Sequence, residues 1–354
     1  GRGLNCGPEQ LLTAGLGAER MIRYPYDPPA DLLDVLKSRQ SFWLATHVYP
    51  DSDGMGSMLA MGQALQSGGK DVVMIVDGEC SRSLEFLPGF STVTPVEELK
   101  GSADAFLVFD CHELKRTGSI ASRLSGNETV VIIDHHISDA GKGDGDIRWQ
   151  VPQASATAAL VQSIIAKMDG VELTKSMATC LYAALITDTA GFRLSNTSAD
   201  TLRAAADLAD AGADPATIAE KVLHRRKPES LRLMSRVLDS VRYHHGGKVA
   251  ILYARQDMLK ETGGLMTETE GIVNFFTAAD GVQLVALFKE ENTDKWRISM
   301  RATDGYDVQW VASQFGGGGH MQAAGFDIEA PLEELEGLML GLLERELERG
   351  VNAR

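Results

Sequence analysis

Between residues 47 and 57 the chain reads His47-Val48-Tyr49-Pro50-Asp51-Ser52-Asp53-Gly54-Met55-Gly56-Ser57. One histidine and two carboxylates surround a proline and a glycine, where the chain must turn sharply into a helix. Alternating acids on such a turn project towards a common point, and imidazole with carboxylate is a ligand set for a divalent metal. The competing reading of Asp51 or Asp53 is a helix N-cap. The same residue types recur further on. Asp110 closes one apolar run, and Asp134-His135-His136 closes another. Asp188, in Leu185–Phe192 (LITDTAGF), falls at the end of an expected helix. An anion is unfavourable at that negative end of the helix dipole, and a metal would compensate it. Six oxygen and nitrogen ligands without a cysteine exceed one tetrahedral zinc site. They suit two harder ions sharing a carboxylate, Mn²⁺ or Mg²⁺. Two ions about 3.5–4 Å apart are the recurring device for phosphoester hydrolysis.

A second group lies near the C-terminal end, Phe315-Gly316-Gly317-Gly318-Gly319-His320 followed by Ala323-Ala324-Gly325. Consecutive glycines are entropically unfavourable, and they let backbone N–H groups approach an anion or a flat base. His320 can donate to a phosphate, and the alternative is a flexible loop. No Gly-Lys-Ser/Thr ending follows, which excludes a nucleotide triphosphatase loop. Arg301, ending an expected strand, is either a phosphate fork or one half of a surface ion pair.

The elements that must position these groups are legible as strand–helix alternation. Ser41–His47, Asp71–Val76, Ala105–Phe109 and Thr129–Ile133 are short, continuously apolar runs. That pattern predicts strands buried on both faces, as in a parallel sheet covered by helices. The runs end in His47, Asp77, Asp110 and Asp134. Ligands of open α/β sheets bind outside the carboxyl ends of the strands, so one crevice collects these side chains. Helices are expected over Met55–Gln66, Ala156–Lys167, Lys175–Thr187 and Ala199–Ala211, with a connecting amphipathic helix over Glu229–Tyr243. A second α/β pattern follows, with strands at Lys248–Tyr253, Val282–Phe288 and Trp296–Met300, and helices at Val308–Gln314 and Pro331–Arg349. The expected fold is α/β in two lobes: a mostly parallel N-terminal sheet flanked by helices, and a smaller C-terminal α/β domain. Residues 1–20 read as an extension, of expression or annotation origin, with Met21 as a candidate start. The catalytic domain is set at 21–212, a helical connector at 213–245 and the second domain at 246–350.

The 354 residues include 34 Lys+Arg and 49 Asp+Glu, a net charge of −15. A chain this acidic should not grip long nucleic acid through a basic face. The 44% hydrophobic and 23% charged composition is that of a globular protein and argues against disorder. Cys6, Cys80, Cys111 and Cys180 are far apart and form no Cys-x-x-Cys pair, which fits a reducing compartment. No apolar stretch is long enough to cross a bilayer. A cytoplasmic protein with no membrane association is the expectation.

In order, His47-x-x-x-Asp51-x-Asp53, Asp110, Asp134-His135-His136 and Asp188-Thr189 resemble the four motifs of the DHH phosphoesterase superfamily. Phe315–His320 with Ala323–Gly325 is similar to the glycine-rich signature of the DHH-associated C-terminal domain. The resemblance covers about residues 30–345 and implies a bilobed enzyme with two Mn²⁺ in the N-terminal domain and the substrate held in the active-site cleft between the lobes. It implies that His47 and Asp51 bind one metal, that Asp53, His135 and Asp188 bind the other, and that Asp110 bridges them. His136 would point at the scissile phosphate. Gly317, Gly318, Gly319, His320 and Arg301 would clamp the substrate's far phosphate or end nucleotide, with Arg116 as a further phosphate contact.

The compact two-domain layout resembles the NrnA-type branch of oligoribonucleases and pAp phosphatases. The implied substrates are very short oligonucleotides of about two to five nucleotides, because the acidity disfavours a long strand or duplex, together with adenosine 3′,5′-bisphosphate (pAp). The alternatives are a phosphodiesterase of cyclic or linear dinucleotide messengers (c-di-AMP, pApA), or a RecJ-like single-strand exonuclease. A non-catalytic nucleotide sensor would be expected to have lost a metal ligand, and all six positions are filled. The resemblance also implies a homodimer through the N-terminal domain.

Overall fold

Parallel strands covered on both faces by helices build the N-terminal half of the computed structural model, which describes residues 26–136, 144–224, 227–269 and 271–352. The extension read at residues 1–20 lies outside the described residues. Strands β1 (Ser41–Ala45), β2 (Asp71–Val76), β3 (Thr94–Pro95), β4 (Ala105–Phe109), β5 (Thr129–Asp134) and β6 (Ile147–Gln150) form one sheet in the order β3-β2-β1-β4-β5-β6. Every pairing in it is parallel. The order reverses between β1 and β4. Such a switch point opens a crevice at the carboxyl ends of the two strands, and His47 and Asp110 follow those ends.

Around this sheet lie α1 (Ala30–Ser38), α2 (Ser52–Ser67), α3 (Thr157–Ile165), α4 (Lys175–Asp188) and α5 (Ala199–Asp210), followed by the short α6 (Pro215–Ala219). Helix α2 is buried almost throughout; Met55, Met58, Leu59, Met61 and Leu65 are inaccessible to solvent. Its approach to α4 is set by Gly56, where a Cβ would stand 2.5 Å from the Cys180 carbonyl oxygen and 3.2 Å from Ala184 Cβ. This packing fixes the start of α2, which carries Asp53, relative to the end of α4, which carries Asp188.

The C-terminal half comprises α7 (Pro228–Asp239), β7 (Arg242–His244), β8 (Val249–Ala254), α8 (Gln256–Thr262), α9 (Val273–Thr277), β9 (Leu284–Asn292), β10 (Lys295–Ala302), α10 (Val308–Ser313), β11 (Gly318–His320), β12 (Ala323–Glu329) and α11 (Leu332–Asn352). Its sheet runs β11-β12-β10-β9-β8-β7, antiparallel except for β8 beside β9. Alternate residues of β8 feed two cores, as the period of a strand requires. Val249, Ile251 and Tyr253 pack with Val311, Leu335 and Met339. Ala250 and Leu252 pack with Leu233 and Val237 of α7 and Phe276 of α9. Helix α7 therefore sits in the core of the C-terminal lobe.

One local expectation is corrected, and one alternative is set aside. The helix read over Glu229–Tyr243 stops at Asp239, and Arg242–His244 is the edge strand β7. Ser240 accounts for the break, since its Oγ donates to the Tyr253 carbonyl (3.2 Å) and accepts from the Tyr253 N–H (2.9 Å), pinning the helix end to β8. The glycine run is not a free loop, because Gly318–His320 pairs with Ala323–Gly325 as a strand. A Cβ at Gly317 would collide with Gly325 and Phe326, and one at Gly319 with Ala323 and Ala324. These two glycines admit the neighbouring backbone, whereas Gly318 faces open space.

Gly56→Val should lower stability by about 1–3 kcal/mol, the usual effect of overpacking a tight core. Gly341→Ala on α11, where a Cβ meets nothing within 4 Å, should be neutral or raise stability by up to about 1 kcal/mol. Thermal melts of the two variants check both.

Candidate active site

The first carboxylate of the site is the cap that the sequence allowed. Asp51 Oδ1 accepts the N–H groups of Asp53 (2.9 Å) and Gly54 (3.0 Å) at the start of α2. The same atom stands 3.9 Å from His47 Nε2, so capping and facing the cluster are compatible. Asp53 is buried and held at the start of α3, accepting the N–H groups of Thr157 (2.7 Å) and Ala158 (2.9 Å). The positive end of α3 thus faces a carboxylate. Thr157 also donates its hydroxyl to Asp110 Oδ1 (3.0 Å), fixing two acids at once.

Asp110 is the hub. Its backbone is left-handed (φ 57°), a strained conformation for a residue with a side chain. From there its carboxylate lies 3.6 Å from His47 Nε2 and 3.5 Å from both His135 Nε2 and His136 Nδ1. His135 Nε2 also stands 3.6 Å from Asp53 Oδ2 and 3.5 Å from Asp188 Oδ2. His47 Nδ1 faces the Val48 carbonyl (2.9 Å) and His135 Nδ1 the Ala154 carbonyl (3.1 Å). A carbonyl only accepts, so each Nδ1 carries a proton and each Nε2 is the ring atom turned to the carboxylates, as a lone pair when the ring is neutral and as a donor when it is charged.

So many carboxylates in one buried volume repel one another unless a proton or a metal cation lies between them, and their proton affinities shift accordingly. Burial, with Asp110 and Asp188 nearby, holds Asp53 well above the usual carboxylate range. Asp188 is pushed up to about 6, chiefly by burial. For Asp110 burial pushes upwards, but His136, His47 and His135 outweigh it and hold the group low. Among the described residues four groups have the spacing for a cation among them: His47, Asp51 and Asp110; Asp53, Asp110 and His135; Asp110, Asp134 and His136; and His135, His136 and His320. Asp110 belongs to three of them and is the one residue common to the first two. The donor set therefore fits two divalent ions sharing Asp110.

Asp134 does a different job. Its Oδ1 accepts the backbone N–H groups of His135 (2.9 Å) and His136 (3.2 Å) and the ring Nδ1–H of His136 (2.7 Å). Burial pulls the His136 imidazole down, but Asp134 and Asp110 outweigh it and raise it to about 9. Arg116, on the segment after β4, acts electrostatically on His47, His112 and His136, and its carbonyl accepts the Val48 N–H (2.8 Å).

The sequence reading passed over two contributors. Thr157 sat inside an expected helix, and only its position at the helix start gives it two carboxylates to hold. His112 Nδ1 lies 3.9 Å from Asp134 Oδ2, both atoms buried and without a hydrogen-bond partner among the described residues.

His320 is placed differently from the expected far-end clamp. Its ring stacks on His136 (centroids 5.0 Å, planes 17° apart) and lies 4.9 Å from His135. Burial, with His136 and His135 adding to it, pushes His320 down to about 3. The C-terminal lobe thus delivers its histidine to the reaction centre. Arg301 is elsewhere, donating to Asn274 Oδ1 (3.1 Å) on the wall of a cavity of about 990 Å³ between the lobes. His47, Asp51 and Asp188 line one side of that cavity, and Asn274, Lys289, Arg297 and Arg301 the other. The lobes also meet where the Arg297 guanidinium lies over the Tyr49 ring at 4.6 Å, and where Ser195 donates to Gln322 (2.8 Å).

With this geometry in place, comparison with known proteins gives a consistent answer. The model of the DHH family N-terminal domain matches residues 41–185, and that of the DHHA1 domain matches residues 246–348. The bifunctional oligoribonuclease and PAP phosphatase NrnA of Thermus thermophilus is 32% identical over 89% of this chain and 93% of its own length. The Bacillus subtilis protein of the same name is 24% identical over 84% and 92%. An exopolyphosphatase-related protein from Bacteroides fragilis shares the fold (TM-score 0.78, 24% identity, 89% of this chain and 95% of that one). The chain belongs to the DHH family. It is a phosphoesterase of two lobes, as its motifs imply. Among the described residues, no helix is long and apolar enough to cross a membrane.

In the metal-free protein His136 and His47 are both raised above their ordinary value of 6.5. Stability from their carboxylate partners is complete below about pH 6.5 and is lost as pH rises through the folded values. The melting temperature of chelator-treated protein should therefore fall between pH 6.5 and 9. Asp134→Asn should flatten that fall and reduce turnover about 10- to 100-fold, as loss of an orienting partner does. A fall of undiminished size in the variant would remove Asp134 from this role.

Proposed function

We propose that the chain hydrolyses oligonucleotides of about two to five residues to mononucleotides, in a cavity of about 990 Å³ between the lobes that is open to solvent on one side, and removes the 3′-phosphate of pAp. The observation that carries this reading is the cavity itself, with a carboxylate–imidazole cluster on one side and cationic side chains on the other. The likeness to the two NrnA proteins supports it. His47 and Asp51 would hold one divalent ion, Asp53, His135 and Asp188 the second, and Asp110 both, with Mn²⁺ favoured over Mg²⁺. When bound, the ions neutralise phosphoryl oxygens and acidify the attacking water.

The residues of the chain do the rest. His136, kept protonated by Asp134, donates towards the charge that develops on the scissile phosphate. His320, stacked on His136, closes the reaction centre against water from the C-terminal side. Arg301 and Lys289 hold the remaining phosphate on the opposite wall, with Arg116 adding positive potential beside the cluster and Gly318 an open backbone face. A cytoplasmic homodimer is the setting proposed with this activity.

With Mn²⁺, pApA and pAp should be converted to mononucleotides, and a long single strand should be left largely intact. Rapid degradation of the long strand without turnover of pApA, or exclusive turnover of c-di-AMP, overturns the reading. Asp110→Ala should abolish hydrolysis, measured as mononucleotide released. Mn²⁺ should raise the melting temperature of the wild type more than that of Asp110→Ala, because a ligand binding the folded state alone stabilises it.

A further inference from the structure

Apart from its phosphates, a nucleotide carries one flat, weakly polar ring that water solvates poorly. The cavity wall offers two aromatic rings, Tyr49 and Phe275. Tyr49 is covered by the Arg297 guanidinium. Phe275 is 53% exposed, and no ring or cation packs on it among the described residues. Its neighbours in α9 explain why it stays in place. Val273 and Phe276 are buried in the C-terminal core, which anchors the helix and turns Phe275 outwards into the cavity. Met266 and Ala278 line the cavity beside it. The preceding residue, Asn274, accepts from Arg301, so a guanidinium is tied to the same short helix.

We infer that Phe275 is the stacking platform for a nucleobase of the substrate, one residue from the side chain that anchors the phosphate-binding Arg301. The inference deepens the proposed function and rests on it for the identity of the substrate. The same cavity presents Leu84, Val222, Leu223 and Met266 beside its charged residues, so its wall offers apolar surface for a base as well as cations for a phosphate. Base–aromatic stacking tolerates any base, because every base has a π-face. A ring at this position therefore favours nucleotides over inorganic polyphosphate or sugar phosphates without dictating the base.

The test is calorimetric binding of AMP and of ribose 5-phosphate to the Mn²⁺-loaded protein, alongside turnover of pApA. Wild type should bind AMP more tightly than ribose 5-phosphate. Phe275→Ala should weaken AMP binding about 5- to 150-fold, the range for loss of one stacked base, and leave ribose 5-phosphate unchanged. Phe275→Trp should restore AMP binding, and Phe275→Leu should not. KM for pApA should rise in Phe275→Ala with little change in kcat. Equal binding of the two ligands by wild type, or equal losses on both ligands in Phe275→Ala, overturns the inference. Absence of pApA turnover in wild type with intact, Phe275-dependent AMP binding would instead refute the proposed function and leave the platform standing.

Discussion

Repulsion inside one buried cluster is the constraint on which the rest of the structure depends. Asp53, Asp110 and Asp188 crowd around the His135 Nε2, and among the described residues no lysine or arginine forms an ion pair with any of the three. A carboxylate stripped of water is unfavourable by several kcal/mol unless it is paired. The fold therefore holds the acids apart from their own preferences. The start of α3 takes Asp53, the Thr157 hydroxyl takes part of Asp110, and Asp110 itself accepts a left-handed backbone. Strain of that kind persists only where the surrounding structure over-determines it. Here the parallel sheet on one side and the α2–α4 contact on the other supply that rigidity.

Legibility in the sequence followed this division between chemistry and support. The continuous apolar runs at 71–76 and 105–109 coincide with β2 and β4; β4 is buried throughout and β2 over its last three residues, and a stretch buried on both faces has no freedom to be polar. The residues ending the runs were readable for the same reason, since nothing but function explains acids and histidines at those termini. What escaped were elements whose identity is conferred by a partner. β3 is two residues long, β7 is an exposed edge, and β11 is made of glycine and histidine; none has a strand pattern of its own. Each is a strand because a neighbouring strand completes its hydrogen bonds.

The same logic separates the glycines. A run of four looked like a uniform cradle, yet Gly317 and Gly319 are small because β12 presses against them, whereas Gly316 and Gly318 face open space. Local sequence cannot divide them, because the divisor is a strand that follows in the chain and folds back. His320 is the more consequential case. Its distance from His136 depends on how two independent sheets are docked, which no periodicity within either lobe encodes. Tyr49 on Arg297 and Ser195 on Gln322 fix that docking from the side chains of both lobes.

That docking also explains how an acidic chain can handle a polyanion. The net charge of −15 is a sum over the whole molecule, whereas the cavity sets Lys289, Lys295, Arg297 and Arg301 on one wall against the acids of the other. Lys295 and Arg297 are partly satisfied by Glu291 (3.0 and 3.1 Å), which tempers the wall rather than cancelling it. A field built this way falls off within about a Debye length, roughly 8–10 Å at moderate salt. Beyond that distance an anionic strand meets the repulsive surface of the whole protein. Attraction confined to the cavity and repulsion outside it together favour an anion that fits wholly inside. The length of the substrate is then set by the range of the local field as much as by the walls.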